Sequence, residues 1–134
     1  MPEIVNYVNN GAKYITPALV EKVLRQLPMW KMEFTQIQAP QFPHLINQLE
    51  FLADAVEDFA EGADKDLAFV AVAEAVFALM YAHKKTNIIP DFVNKLGLAD
   101  DSSIVRAVLI QNERVFSNYA ARHGVNWTRI TSKP

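Results

Sequence analysis

Four carboxylates stand where this sequence could do chemistry: Glu74, Asp91, Asp100 and Asp101. Oxygen ligands of this kind suit a hard divalent cation such as Mg²⁺, and a bound cation would support metal-assisted hydrolysis. The alternative role is local. An aspartate at a helix start caps it for about 1 kcal/mol and gains from the helix dipole. Both roles stay open, because a carboxylate pair exceeds what one cap needs. Other catalytic patterns are missing from the sequence. It has no cysteine, so thiolate sites and disulfides are excluded, and its four glycines (11, 62, 97 and 124) fall at turns or helix ends rather than in a phosphate-cradling loop. It has no G-x-S-x-G elbow and no H-E-x-x-H pair. His44, His83 and His123 are far apart and read as one helix start and two helix ends, where imidazole interacts well with the dipole, rather than as a metal site.

The segment that must position the acids is NIIPDFVNKLGLADDSSIVRAVL, residues 87–109. Ile89 precedes proline and is biased to an extended shape, Pro90 opens a helix of about two turns, and Gly97 ends it. Asp100, Asp101, Ser102 and Ser103 then launch a long helix whose Ile104, Val108, Leu109, Val115, Phe116 and Tyr119 form an apolar face as far as His123-Gly124. The acids thus head two helices about ten residues apart and can converge.

In order and spacing, Ile88, Ile89, Pro90, Asp91, Phe92, Gly97, Asp100 and Asp101 resemble the signature of the YkvA-like domains, a family of unknown function (DUF1232). The resemblance covers the motif and its flanking helices, about a third of the chain. The chain departs from the family where Lys85, Thr86 and Asn87 replace the usual Pro-x-Asp, and where Asn94 replaces a proline. The resemblance implies a helical domain without an assigned activity. It also allows membrane association, since similar domains occur in or beside apolar segments.

The rest of the chain reads as helical support. At 134 residues, 51% hydrophobic and 21% charged, it fits one globular domain with a sizeable core. A net charge of −2 without a Lys/Arg patch argues against nucleic acid. The N-terminus lacks a basic start followed by an apolar run, so a cytoplasmic address is expected. Residues 1–16 fit a short helix better than an Asn-Gly hairpin. Thr16-Pro17 caps a helix with Leu19, Val20, Val23, Leu24 and Leu27 on one face, which Pro28 should end. Trp30, Met32 and Phe34 alternate with Lys31, Glu33 and Thr35, predicting an extended arm that wraps the core or serves as an interface. Pro43 opens the next helix, striped by Leu45, Leu49, Leu52, Val56 and Phe59 and ended by Gly62.

That helix and its following turn hold seven acids and one lysine within residues 50–66. A solvated face explains most of them. Glu57, Asp58 and Glu61, however, occupy the turns where the dipole disfavours negative charge, so a partner is expected, and Arg106, Arg114, Arg122 and Arg129 are intramolecular candidates. Asp54, Glu57, Asp58 and Glu61 thereby join Trp30, Met32 and Phe34 as candidate interface residues. Asp64 or Asp66 should cap the helix from Leu67 to Lys85, in which Glu74 alone is polar between Leu67 and Ala82. These sixteen residues are fewer than the roughly twenty a membrane span needs, and a helix apolar all round belongs at a bundle's centre. Glu74 should face a polar channel and pair with a base, or be partly buried with a raised pKa.

The expectation is an all-α, single-domain bundle of about five helices: N-terminal helices and arm over 1–41, a helical core over 43–124 with the motif helix (Asn87, Pro90, Asp91, Phe92, Gly97) across one end, and a tail over 125–134. The function expected is that of a non-enzymatic module that binds a protein partner or self-associates as a homo-oligomer, with membrane association less favoured. The alternative is a metal-dependent hydrolase-type site of Asp91, Asp100, Asp101 and Glu74 using a divalent cation such as Mg²⁺. Asparagine caps as well as aspartate but is a poorer cation ligand. If the acids are ligands, Mg²⁺ at a hundred times its Kd adds about 2.7 kcal/mol to wild-type stability, and Asp91→Asn and Asp101→Asn each lose that gain in thermal unfolding.

Overall fold

A computed structural model of the chain describes residues 2–37, 40–88 and 102–130, and among these every regular element is helical. In chain order they are α1 (Pro2–Ala12), α2 (Pro17–Phe34), α3 (Leu45–Ala60), α4 (Phe69–Ile88), α5 (102–111), α6 (Glu113–Arg122) and a 3₁₀ turn, Trp127–Arg129. The all-α expectation holds.

The first capping signal is met as its chemistry requires. Thr16 Oγ1 accepts a hydrogen bond from the Leu19 N–H at 3.1 Å, and Pro17 fills the first helical position. Pro28 does not end α2, which runs on to Phe34, so the extended arm is a correction. An interior proline costs about 3 kcal/mol. Full burial of Phe34 returns about 1.5–3 kcal/mol and that of Trp30 a similar amount, so continuing the helix wins. Val20, Val23, Leu27, Trp30 and Phe34 are all buried at steps of three and four, whereas Met32 points outward and is 71% exposed.

The α4 helix is the centre of the bundle, with α1, α2 and α3 packed against it and α2 against α3. From Ala71 to Val76 every residue is buried. Ala71, Ala75, Ala78 and Ala82 present a small-residue stripe that lets neighbouring backbones approach. The helix begins at Phe69 and extends to Ile88, so Asn87 lies in its last turn and His83 lies within it rather than at its end. Neither Asp64 nor Asp66 caps it; the Asp64 carboxylate accepts the Asp66 N–H instead.

The single C-terminal helix of the sequence reading is two helices, α5 and α6, jointed at Asn112 (φ −114°, ψ 30°). The backbone bonds Asn112 N–H to Val108 O and Phe116 N–H to Asn112 O span the joint, making it a bend rather than a stop. Both α3 and α6 end in a Schellman turn. Gly62 (φ 78°) and Gly124 (φ 70°) occupy left-handed positions, and the following N–H groups return to Asp58 O and Ala120 O at 2.8 Å each.

Gly11 sits inside α1 against Phe77 of α4, and a Cβ placed on it would lie 2.1 Å from the ring. That ring is itself held edge-on by Tyr7, at 5.5 Å between centroids. Replacing a helical glycine by alanine ordinarily stabilises by about 0.5–1 kcal/mol, but forcing a carbon into this contact costs about 1–3 kcal/mol. Gly11→Ala is therefore expected to destabilise the protein, by about 1–2 kcal/mol in urea unfolding.

Candidate functional site

Three polar centres interrupt the apolar core. The first lies between α2 and α3. Lys31 pairs with Asp54 at 2.7 Å and with Glu57 beside it. Partial burial lowers the Lys31 pKa, but its hydrogen bonds to the two carboxylates outweigh this and raise it above the ordinary value. On the neighbouring face Glu33 meets His83 Nδ1 at 2.8 Å, and His83 stacks on Trp30 at 4.4 Å.

The second centre joins the two Schellman turns. Asp64 is buried and receives Arg122 Nε at 2.9 Å, Arg122 Nη2 at 3.0 Å and His123 Nε2 at 2.8 Å. Burial pushes its carboxyl pKa up. The hydrogen bonds from Arg122, His123 and the Asp66 N–H, with the guanidinium charge, more than reverse this and hold it below the ordinary carboxylate value. Asp58 accepts from Tyr119 Oη at 2.6 Å and lies 3.8 Å from His123 Nδ1. Burial, and then the hydrogen bond to Asp58, push the Tyr119 hydroxyl pKa far above its usual value. Arg122 is thus the candidate arginine that meets the acidic helix end, and His123 and Tyr119 join it.

The third centre surrounds Glu74, which is 3% exposed. No base meets it among the described residues. Gln111 Nε2 at 2.6 Å and Asn112 Nδ2 at 2.9 Å donate to its Oε1, and Gln111 also reaches Asn9 Oδ1 at 2.8 Å. The expected basic partner is replaced by two neutral amides. Sequence reasoning missed both, although a signal was available: in an uninterrupted helix, Asn112 falls on the stripe that carries Val108 and Phe116. A polar residue on one apolar stripe answers a polar residue on another.

Pro90, Asp91, Phe92, Gly97, Asp100 and Asp101 lie outside the described residues. Among those described, no group of three or more His, Asp or Glu side chains is placed to hold a metal ion. Of the interface candidates, Trp30 and Phe34 are buried in the chain's own core and Met32 is presented to solvent. Glu57 and Asp58 are engaged internally, Asp54 pairs with Lys31 yet stays exposed, and Glu61 is exposed. No helix among the described residues is long and apolar enough to cross a membrane. Compared with protein-family models, with curated proteins and with solved structures, the chain matches none.

The Asp64 centre has a definite pH signature. A carboxyl whose folded pKa is depressed contributes stability that is fully present above the unfolded value of about 3.9 and is lost as pH falls through the folded value. Asp64→Asn is expected to cost about 2 kcal/mol at neutral pH. The difference from wild type should shrink as urea unfolding is repeated from about pH 5 down to pH 3.

Proposed function

We propose that this chain is a non-enzymatic helical interaction module, and that its binding surface is the outer ridge of α3, fitted to a basic amphipathic segment of another protein. The observation that carries the reading is the division of labour among the acids. Internal partners take Glu57, Asp58 and Asp64, whereas Glu50, half-exposed, Asp54, exposed though Lys31 reaches it, and Glu61, exposed, line the outer side.

Glu50 and Asp54 form a crest between two clefts. One, of about 460 Å³, is bounded by Asn47, Phe51, Val125 and Arg129; the other, of about 340 Å³, by Lys31, Met32 and Thr35. Phe51, Val125 and Ile130 on one side of the acidic crest and Met32 on the other match the recognition of a helix by its apolar residues and flanking cations. Methionine suits such a surface because its flexible thioether adapts to the partner. Homo-oligomerisation through Trp30 and Phe34 is disfavoured by comparison, since the monomer's own core uses both. The YkvA-like resemblance adds a helical domain to this reading and no activity.

Fluorescence anisotropy with a labelled Lys/Leu amphipathic peptide of about 18 residues, five helical turns, tests it. Binding with a Kd in the micromolar range is expected, weakening between about 50 and 200 mM salt and falling at least about tenfold in Glu50→Lys. Equal binding of an acidic control peptide, or no response to Glu50→Lys, would remove the proposal.

A further inference from the structure

A cavity of about 400 Å³ lies between α1 and α4. Ala12, Ile15, Phe69, Val70 and Ala73 give it apolar walls. Its volume falls within the range of about 300–1,000 Å³ typical of small-molecule sites, and such sites combine apolar walls with a few placed polar groups.

The polar groups here divide by sign. Glu74, from α4, supplies the acceptor. Both amide donors that reach it converge on Oε1, and no described residue donates to Oε2. A buried carboxylate held by two neutral donors on one oxygen keeps a strong demand for a cation. The opposite wall supplies the donors. Asn9 on α1 and Lys13 in the turn that follows it both line the cleft. Asn9 uses its Oδ1 to accept from Gln111, leaving its amide N–H groups available, and Lys13 is exposed at the rim without an ion pair among the described residues.

We infer that this cleft binds a small zwitterion with an apolar body, in chemical class an apolar α-amino acid, with its ammonium on Glu74, its carboxylate toward Asn9 and Lys13, and its side chain against Phe69, Val70 and Ala73. A simple amine would meet the Lys13 charge without compensation, and a simple carboxylate would meet that of Glu74. The zwitterion alone satisfies both walls.

The test is isothermal titration calorimetry of the full chain with L-leucine and L-phenylalanine, and with isoamylamine and isocaproate, which carry leucine's body with only one of its charges. One or both amino acids should bind saturably with a Kd below about 1 mM, and the single-charge analogues at least about tenfold more weakly. Glu74→Gln should weaken amino-acid binding at least about tenfold. Because Glu74 is buried and that variant could fail to fold, two exposed positions carry the same test. Lys13→Ala should weaken leucine several-fold while isoamylamine, freed of a like charge, binds more tightly. Val70→Arg, at a position 65% exposed, should place a guanidinium in the cleft and abolish amino-acid binding while thermal unfolding stays unchanged. The inference is overturned if neither amino acid gives saturable heat up to about 10 mM, if isoamylamine binds as tightly as leucine, or if binding survives Val70→Arg.

Discussion

The burial of α4 over residues 71–82, none of them exposed, is the constraint on which the rest of this structure depends. A helix that is apolar from Phe69 to Ala82 except at Glu74 cannot be stable until other elements cover it, and α1, α2 and α3 all pack on it. Its alanines determine how closely the covering helices approach, and its larger residues, Val72, Val76 and Leu79, determine what fills the space between. Gly11 of α1 belongs to the same arrangement, because a backbone without a side chain is what fits beside Phe77.

One polar residue in such a helix imposes a requirement on distant sequence. Leaving the Glu74 carboxylate unpaired in the core would cost several kcal/mol, and the amides that prevent this come from Gln111 and Asn112, at the joint between α5 and α6. Asn112 also donates to Val108 O at 2.9 Å, so the side chain that serves Glu74 bonds to the preceding turn of its own helix. Bend and buried acid are two ends of one interaction. The acids of α3 and of the turn after it show the complementary pattern, with Asp54 and Glu57 sharing Lys31, Asp58 and Asp64 meeting Tyr119, Arg122 and His123, and Glu61 exposed to water.

Much of this was legible in the sequence, and the failures have specific causes. Trp30 and Phe34 satisfy two periods at once, the alternation with Met32 and the helical series Val20, Val23, Leu27, Trp30, Phe34, and the presence of Pro28 made the first seem right. Burial of two large aromatic residues outweighed one proline. The α3 stripe, its Gly62 terminus and the Thr16 cap were readable because each depends on neighbours within one or two turns. The partners of Glu74 and Asp64 were not, because those bonds join residues 37 to 59 positions apart and no local pattern encodes which polar side chains will meet. Arg122 could be named as a candidate from charge alone; its choice of Asp64 required the fold.

The two Schellman turns bring the ends of α3 and α6 onto one buried aspartate, and this has a consequence for the order of events in folding. Contacts across 58 residues form only after a long loop has closed, whereas the packed pairs α2–α3 and α3–α4 are joined by ten and eight residues. The α2–α3 and α3–α4 hairpins are therefore the natural nucleus, and the corner at Asp64 assembles after them. Weakening an interaction formed that late leaves the folding rate nearly unchanged and appears almost wholly as faster unfolding, which makes this corner the latch on the native state's lifetime.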